Sequence, residues 1–271
     1  MKVEVLGVKI DALRKSEVMT QISARLQRGE QTFIVTPYSE SLVVAQKDLE
    51  YREILNSAAF VLPDGVGVLW AAHFLKRLAT GDERSGLSKF GLLVGTLVSV
   101  IFRPDALHDP IPEKISGADF VWDLIELAAK QDKFIYLLGG FGDTTKKAAE
   151  KLRQSIPNLK IVGADSGDGG EGTVEKVNQS GADILLVALG ARKQEQWIYA
   201  NRSKLAPRVL IGLGGTFDYL AGKRPYRPLF WASRGLEWLW RLVTQPWRVG
   251  RILRGVFGLI YYSFKYHTRS L

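Results

Sequence analysis

Short runs of aliphatic and β-branched residues alternate along the chain with longer segments in which apolar residues recur at helical spacing. This alternation predicts an α/β fold, a Rossmann-like parallel sheet with flanking helices. The predicted strands are residues 32–35, 59–62, 133–138, 160–162, 183–188 and 208–211. The predicted helices are residues 15–28, 39–56, 66–78, 118–130, 143–155, 173–180 and 193–204.

One apolar segment interrupts this pattern. Residues 87–102, LSKFGLLVGTLVSVIF, carry a single charge, Lys89. A helix of this length reaches about 24 Å, which is short of the roughly 20 residues needed to span a bilayer. The flanking sequence is rich in Gly, Asp, Arg and Pro and therefore indicates an apolar insertion at residues 79–111. A buried helix, an oligomer contact and a shallow membrane segment all remain open for it.

The charge of the chain is concentrated at one end. The formal net charge of the 271 residues is +9, yet residues 1–222 carry equal numbers of basic and acidic side chains. Residues 223–271 carry ten basic residues, one acid (Glu237) and four of the seven tryptophans. We therefore predict an α/β domain at 1–222 and a basic, aromatic, helical appendage at 223–271 that contacts an anionic membrane surface. Nucleic acid is a competing partner, which the apolar stretches GLEWLWRL and GVFGLIYYSF disfavour.

The absence of cysteine excludes disulfides, thiolate nucleophiles and cysteine-bound metals. The first residues, MKVEVLGVKIDALRKSE, lack the apolar block of a signal peptide. Both features favour a cytoplasmic protein. The chain has no Asp-x-Asp motif, and its three histidines do not cluster, so we expect neither a metal site nor a cofactor.

Glycines and polar residues follow the predicted strands. In open parallel sheets, ligands bind beyond the carboxyl ends of the strands. Any one of these positions is compatible with an ordinary turn, but their joint occurrence predicts a nucleotide-binding crevice. The candidate residues are Thr36, Asp64, Gly139, Gly140, Gly190, Gln194, Gly214, Gly215 and Asp218.

The chemistry of these residues leaves alternatives. Asp64, in VLPDGVGV, suits a general base, a ribose ligand or a helix cap. Thr36 suits a substrate contact or a cap, and Gln194 suits either a bond to sugar hydroxyls or a solvent-facing helix position. The loop with Gly214, Gly215 and Asp218 suits phosphate. Without a metal, the charge of a nucleotide diphosphate would need arginines, and the appendage offers Arg224, Arg227, Arg234 and Arg241.

Several motifs together resemble one family. TPYSE, LNSAAFVLPDGVGVLWAA, KISGADF, YLLGG, SGADILLVALGARKQEQWI, IGLGGTFDYLAG and GLEWLWRL occur in the order found in the WecG/TagA/CpsF glycosyltransferases, family 26. The resemblance covers roughly residues 1–78 and 112–250. It implies a fold of the GT-E type and a metal-independent, inverting transfer of a sugar from a UDP-sugar donor to a polyprenyl-diphosphate-linked sugar acceptor. The sugar would be N-acetylmannosamine-like or a related hexose or uronic acid, and the products would serve teichoic acid, enterobacterial common antigen or exopolysaccharide biosynthesis.

The resemblance also implies roles for residues. Asp64 matches the family's proposed general base, and Thr36 and Gln194 match residues of the same pocket. The glycines fall in the nucleotide-binding loops. The family's basic appendage docks peripherally on the cytoplasmic face of the plasma membrane and supplies arginines to the diphosphate, and family members are often homo-oligomers. One departure is that Tyr38 stands where the family has asparagine, near the sugar pocket.

Two other functions compete with this interpretation. A nucleotide-sensing membrane adaptor would use the same crevice and appendage without catalysis. A dinucleotide-dependent oxidoreductase would require Gly-x-Gly-x-x-Gly after the first strand, and the mid-chain LLGGFGD does not fit. For the leading interpretation, we expect Arg248, Arg251 and Arg254 to serve membrane binding. Arg224, Arg227 and Arg234 are expected to serve turnover.

Overall fold

The computed structural model describes residues 1–81, 86–225, 240, 243–245 and 249–266. The chain opens with an antiparallel hairpin of β1 (Lys2–Val5) and β2 (Val8–Asp11). Its two-residue turn has φ angles of 52° at Leu6 and 78° at Gly7, the positive values that a tight hairpin turn requires. The sequence patterns had not been interpreted as this hairpin.

A six-stranded sheet forms the centre of the fold, in the order β4-β3-β8-β7-β5-β6, and each neighbouring pair is parallel. Each strand overlaps one predicted from the sequence, so the α/β fold class is confirmed. The strands are β3 (Thr32–Val35), β4 (Phe60–Val61), β5 (Phe134–Gly139), β6 (Lys160–Asp165), β7 (Ile184–Ala188) and β8 (Val209–Gly212).

Helices cover both faces of this sheet, and the helices predicted from the sequence lie close to the predicted segments. A short helix at Thr216–Leu220 was not predicted, and it places Asp218 in a helix where we expected a loop. The predicted helix at 39–56 is two helices, because Asp48 accepts a hydrogen bond from the Tyr51 N–H (3.0 Å) and so begins a second one. The helices are α1 (Lys15–Gln27), α2 (Ser39–Ala45), α3 (Leu49–Asn56), α4 (Val66–Thr80), α5 (Gly86–Phe102), α6 (Gly117–Lys130), α7 (Thr144–Ser155), α8 (Thr173–Gln179), α9 (Lys193–Asn201), α10 (Thr216–Leu220) and α11 (Val249–Lys265), with a 3₁₀ helix at Pro104–His108.

The core has one apolar cluster on each side of the sheet. Side chains of a strand alternate between the two faces, so Phe33 and Val35 join one cluster while Ile34 joins the other. The first cluster also takes in residues of α2, α3 and α4, and the second takes in residues of α1, α6 and α7. The sheet is thus buried on both faces, and in open parallel sheets of this kind ligands bind at the carboxyl ends of the strands.

Helices α5 and α11 form an outer layer over α4. Helix α11 lies close against α2, since a Cβ added at Gly258 would come within 2.9 Å of the Val43 side chain. Leu259 of α11 is buried in the core cluster. This part of the C-terminal segment therefore packs on the α/β body. Within the described ranges, we find no helix with the length and apolarity that crossing a membrane requires.

Candidate active site at the carboxyl edge of the sheet

The parallel strands bring most of the predicted site residues to one edge of the sheet. Thr36 follows β3 and Asp64 follows β4, and these two strands are neighbours. Gly214 follows β8 on the other side of β3, and Gly190 and Gly139 mark the ends of β7 and β5. The expectation that these positions share one edge is confirmed, while their contacts with substrate remain a prediction.

Asp64, Thr36 and the start of helix α6 meet at this edge. The backbone N–H of Gly117, the first residue of α6, donates a hydrogen bond to Asp64 Oδ2 (3.3 Å). A Cβ added at Gly117 would lie 2.9 Å from Thr36 Oγ1. Only glycine therefore lets the helix start this close to both side chains. The motif KISGADF contains this residue, but the sequence alone did not single it out as part of the site.

Ser116 adds a buried hydroxyl next to this contact. It is the N-cap residue of α6 and is 2% exposed, and its Oγ finds no hydrogen-bond partner among the described residues. A buried hydroxyl without a partner is unfavourable unless something else satisfies it. The first turn of α6 therefore offers a polar group, along with the N–H that holds Asp64.

Gln194 is buried, at 4% exposure, in the first turn of α9. Its Oε1 accepts a hydrogen bond from the Gly214 N–H (2.8 Å), and its Nε2 donates to Glu195 Oε1 (2.7 Å). The interpretation of Gln194 as a solvent-facing residue is wrong. Its side chain joins α9 to the loop after β8.

Glu195 is a buried acid that the sequence analysis missed. It is 6% exposed, and its Oε2 has no hydrogen-bond partner in the described part of the chain. Burial raises the pKa of this carboxyl, and the hydrogen bond from Gln194 only partly opposes the rise. Burial also raises the pKa of Tyr38 and Tyr51, and the Glu195 charge adds to both shifts. The Glu195 charge thus acts on both phenol groups.

The glycine loops approach the strands tightly. Gly139 has φ +102°, and a Cβ there would lie 2.6 Å from the carbonyl oxygen of Ala188 at the end of β7. Gly140 and Gly190 also have positive φ, as does Gly214, whereas Gly215 has an ordinary φ of −70°. A larger residue at Gly139 would force the neighbouring strand ends apart.

Asp218 and Arg224 anchor the start of the C-terminal segment. Arg224 Nε lies 3.1 Å from Asp218 Oδ2, and Arg224 Nη1 donates a hydrogen bond to Oε1 of the buried Gln245 (2.7 Å). Asp218 is therefore partnered by an arginine of the appendage. Arg227, Arg234 and Arg241, which the sequence also nominated, lie outside the described residues.

Arg251 links helix α11 to the loop after β3. It donates hydrogen bonds to the Glu40 carboxylate and to the Tyr38 hydroxyl, and Tyr38 Oη donates to Glu40 Oε2 (2.8 Å). Tyr38 is thereby fixed two residues from Thr36. We expected Arg251 to serve membrane binding together with Arg248 and Arg254. In the structure its guanidinium is engaged by side chains of the body, and its part in membrane binding stays a prediction. Arg248 lies outside the described residues.

The described residues contain no group of three or more His, Cys, Asp or Glu side chains that could hold a metal ion. The fold and this edge define a class: a Rossmann-like α/β protein with an acid and several glycine loops along the carboxyl ends of its strands, and with a basic helix packed beside them.

The chain belongs to the WecG/TagA/CpsF family of glycosyl transferases, which it matches over residues 3–90 and 88–271. It is therefore a glycosyltransferase, and the adaptor and oxidoreductase alternatives are set aside. It is 30% identical over 246 residues to an N-acetylglucosaminyldiphosphoundecaprenol N-acetyl-β-D-mannosaminyltransferase of Bacillus subtilis (strain 168), covering 90% of this chain and 80% of the relative. An enzyme of the same name from Staphylococcus aureus (strain MRSA252) is 24% identical over 257 residues, covering 93% and 88%.

Proposed function

We propose that this enzyme transfers a sugar from a UDP-sugar to a sugar carried on a polyprenyl diphosphate, with Asp64 as the general base. The observation that carries the proposal is the hydrogen bond from the first turn of α6 to Asp64 Oδ2 (3.3 Å), beside Thr36. It fixes an acid at the edge of the sheet where ligands bind. The names of the relatives, which transfer N-acetylmannosamine to an undecaprenyl-diphosphate-linked N-acetylglucosamine, support the substrate class.

In this proposal Asp64 removes the proton from the acceptor hydroxyl, whose oxygen attacks the anomeric carbon of the donor. The bond between that carbon and the UDP oxygen breaks on the opposite face, so the configuration inverts. The proton remains on Asp64, and UDP leaves with its bonding electrons. A positioned base typically contributes about 10²–10⁴-fold to the rate. Thr36 and the Ser116 hydroxyl, which border the same helix start, bind the acceptor.

The donor diphosphate faces the loops after β5, β7 and β8 in this proposal. Gln194 positions the last of these loops through its hydrogen bond with Gly214 (2.8 Å). Asp218 positions Arg224 through an ion pair in which Arg224 Nε lies 3.1 Å from Asp218 Oδ2. Arginines of the appendage offset the charge that develops on the leaving diphosphate, without a metal ion. The remaining residues that we assign to donor binding are Gly139, Gly140, Gly190, Gly215, Arg227, Arg234 and Arg241.

Tyr38 is our candidate for the residue that selects the donor sugar. Its ring is held by Arg251 and Glu40 close to Thr36. A fixed aromatic ring narrows the space available to substituents of the sugar more than a small amide would. We propose that the chain accepts an N-acetylmannosamine-like sugar or a related hexose or uronic acid, according to the fit against this ring.

The appendage brings the enzyme to its lipid-linked acceptor, at the cytoplasmic face of the membrane in our proposal. Helix α11 supports this assignment, because it contains basic residues and no acidic one. Basic residues near an anionic surface contribute about 1 kcal/mol each to binding. Exposed Arg254 and Lys265 are suited to this contact.

The proposal is tested with a panel of UDP-sugars, each incubated with a polyprenyl-diphosphate-linked N-acetylglucosamine in detergent. We expect UDP release and a disaccharide product with one donor, and neither when the acceptor is left out. Thermal shift with UDP and with NAD on the same sample gives an independent measure of nucleotide preference. Release of UDP without a lipid-linked product, or stabilisation by NAD alone, would contradict the proposal.

A further inference from the structure

Helix α5, the apolar insertion, exposes its large side chains along one side. Leu87 is 83% exposed and Ile101 is 71% exposed, and Phe90, Val94 and Val98 lie between them. These positions are spaced by three or four residues, so they form one stripe along the helix. The opposite side of α5 is buried through Leu92, Leu93 and Thr96. The apolar stripe therefore faces away from the body.

Contacts with the body fix the orientation of this stripe. Trp70 of α4 donates a hydrogen bond from Nε1 to Thr96 Oγ1 (3.2 Å), and both side chains are buried. This polar contact sits on the inner face of an otherwise apolar helix and sets which side of α5 meets α4. Rotation of α5 to hide Val94 and Val98 would break this hydrogen bond.

Helix α11 presents a second exposed apolar side next to α5. Phe257 is 64% exposed, and Leu253 and Tyr261 are 47% and 51% exposed. The two helices meet where Lys89 Nζ lies 4.8 Å from the centre of the Phe264 ring. Both helices pack on α4 with their buried sides, so both exposed sides point outward from the same part of the molecule.

The charges on these helices indicate what covers them. Neither α5 nor α11 contains an acidic residue, whereas Arg254 and Lys265 are exposed on α11 and Arg103 is exposed directly after α5. Within the two helices all the charged residues are basic, and an apolar side with positive charges at its border complements the headgroups and acyl chains of an anionic lipid surface. One exposed acid, Asp105, follows Arg103 in the 3₁₀ helix. A second copy of the same cationic surface would bring like charges together.

We propose that α5 is a membrane-inserting helix that lies in the lipid interface beside α11. It is too short and too one-sided to span the bilayer, and its apolar stripe enters the region between headgroups and acyl chains. This proposal rests on the proposed function, in which the acceptor is lipid-linked. It assigns to the insertion a role separate from that of the basic appendage, since α5 supplies apolar contact and α11 supplies most of the charge.

Vesicle binding of the full chain tests the proposal. The variant Phe90→Glu with Ile101→Glu changes two exposed residues of the stripe, and Leu49→Glu with Val162→Glu makes the same charge change at two exposed apolar positions of α3 and β6. With vesicles of phosphatidylcholine and phosphatidylglycerol, we expect the α5 variant to bind at least about tenfold more weakly and the control to bind like the parent chain. Equal binding of both variants would overturn the proposal, and thermal melts confirm that both are folded.

Depth is measured with a dye on single cysteines, which the cysteine-free chain allows. A polarity-sensitive dye at Val98→Cys should shift to the blue on adding vesicles, whereas the dye at Leu49→Cys should not. A blue shift that depends on protein concentration without vesicles would instead identify a second copy as the occupant and overturn the proposal.

A short-chain, water-soluble acceptor separates this proposal from the proposed function. The α5 variant should retain transfer to that acceptor and lose it only with vesicle-embedded acceptor. Absence of transfer in every protein, with the difference in vesicle binding intact, would remove the proposed function and leave α5 as a lipid contact.

Discussion

The carboxyl edge of the sheet and the outer helices depart from the usual distribution of residues in opposite ways. At the edge, polar side chains are buried: Gln194 is 4% exposed and Glu195 is 6% exposed. In the outer layer, apolar side chains are exposed, as with Phe102 at 76%. Buried polar groups and exposed apolar patches are the two observations that composition does not explain. We propose that each marks a place where the protein contacts another molecule, a polar substrate at the edge and lipid at the outer layer.

Helices α6 and α5 show the same contrast on a smaller scale. Helix α6 buries its apolar side against the sheet, through residues such as Phe120 and Leu124. Helix α5 is more apolar along its length, yet it buries only Leu92, Leu93 and Thr96. Hydrophobicity alone therefore does not decide burial in this molecule. The first turn of α6 serves the site, and the outward side of α5 serves the surface.

The strongest test of the edge is Asp64→Asn. The amide keeps the shape of the side chain and cannot accept the acceptor's proton, so we expect transfer to fall by about 10²-fold or more. UDP affinity, measured by calorimetry, should remain within about threefold of the parent, because we propose that the nucleotide contacts other loops. Transfer at the parental rate would remove Asp64 from the mechanism.

The substitution Glu195→Gln tests whether the buried carboxyl at the edge of the sheet destabilises the folded protein when it is ionised. Below about pH 4.5, the ordinary pKa, the carboxyl is neutral in both states. As pH rises above 4.5, the unfolded chain ionises first because the folded pKa is raised, so this group's contribution to stability is lost. We expect the variant to gain a few °C in melting temperature relative to the parent at pH 8, and less at pH 4.5.

The matched control for this experiment is Glu175→Gln on the exposed side of α8. In this control, the difference in melting temperature between pH 8 and pH 4.5 should be the same as in the parent. A variant Glu195→Gln whose melting temperature tracks that of the parent at both pH values would show that the buried carboxyl does not destabilise the folded chain. The rate of sugar transfer should fall in Glu195→Gln. The carboxylate of Glu195 accepts a hydrogen bond from Gln194, which in turn accepts one from the Gly214 N–H.

Glycine-to-alanine substitutions in α6 and α5 should change the stability of the protein in opposite directions. At Gly117, the new Cβ would lie 2.9 Å from Thr36 Oγ1, so we expect a loss of about 1–2 kcal/mol in stability and about tenfold in transfer. At Gly91 of α5 nothing lies within 4 Å, and alanine should stabilise the chain by about 0.5–1 kcal/mol. Urea unfolding measures both. Changes of the same sign would contradict the contrast between a constrained helix start and an open helix side.

Much of this molecule could be predicted from the sequence because its signals are local. Strand runs and the positions after them follow from period and turn chemistry, which is how Asp64 and Thr36 were found. Gly117 and Glu195 were missed because their importance comes from residues distant in sequence: Gly117 matters through Asp64, 53 positions away. The hairpin β1–β2 was missed because Leu6 carries the positive φ that usually signals glycine or asparagine.

The engagement of Arg251 by the body was also missed, since nothing local distinguishes it from Arg254, one turn further along α11. A small coupling free energy between side chains tests whether Arg251, and not Arg254, interacts with Tyr38. A double-mutant cycle of Arg251→Gln and Tyr38→Phe should give a coupling free energy of about 0.5–1 kcal/mol, because the pair is only half-buried. Arg254→Gln should couple to Tyr38→Phe by less than the error of the cycle.

Binding to vesicles should rank the two arginines in the opposite order, with Arg254 contributing more than Arg251. Arg254 is exposed, and its one hydrogen bond among the described residues goes to the Gly250 carbonyl oxygen (3.2 Å) of its own helix. Its loss should weaken binding to anionic vesicles by about fivefold. Loss of Arg251 should weaken binding less, since its guanidinium is already engaged by Glu40. Equal losses for both variants would mean that the contact between α11 and Tyr38 is not maintained at the membrane, and the edge and the outer layer would then not be joined through this residue.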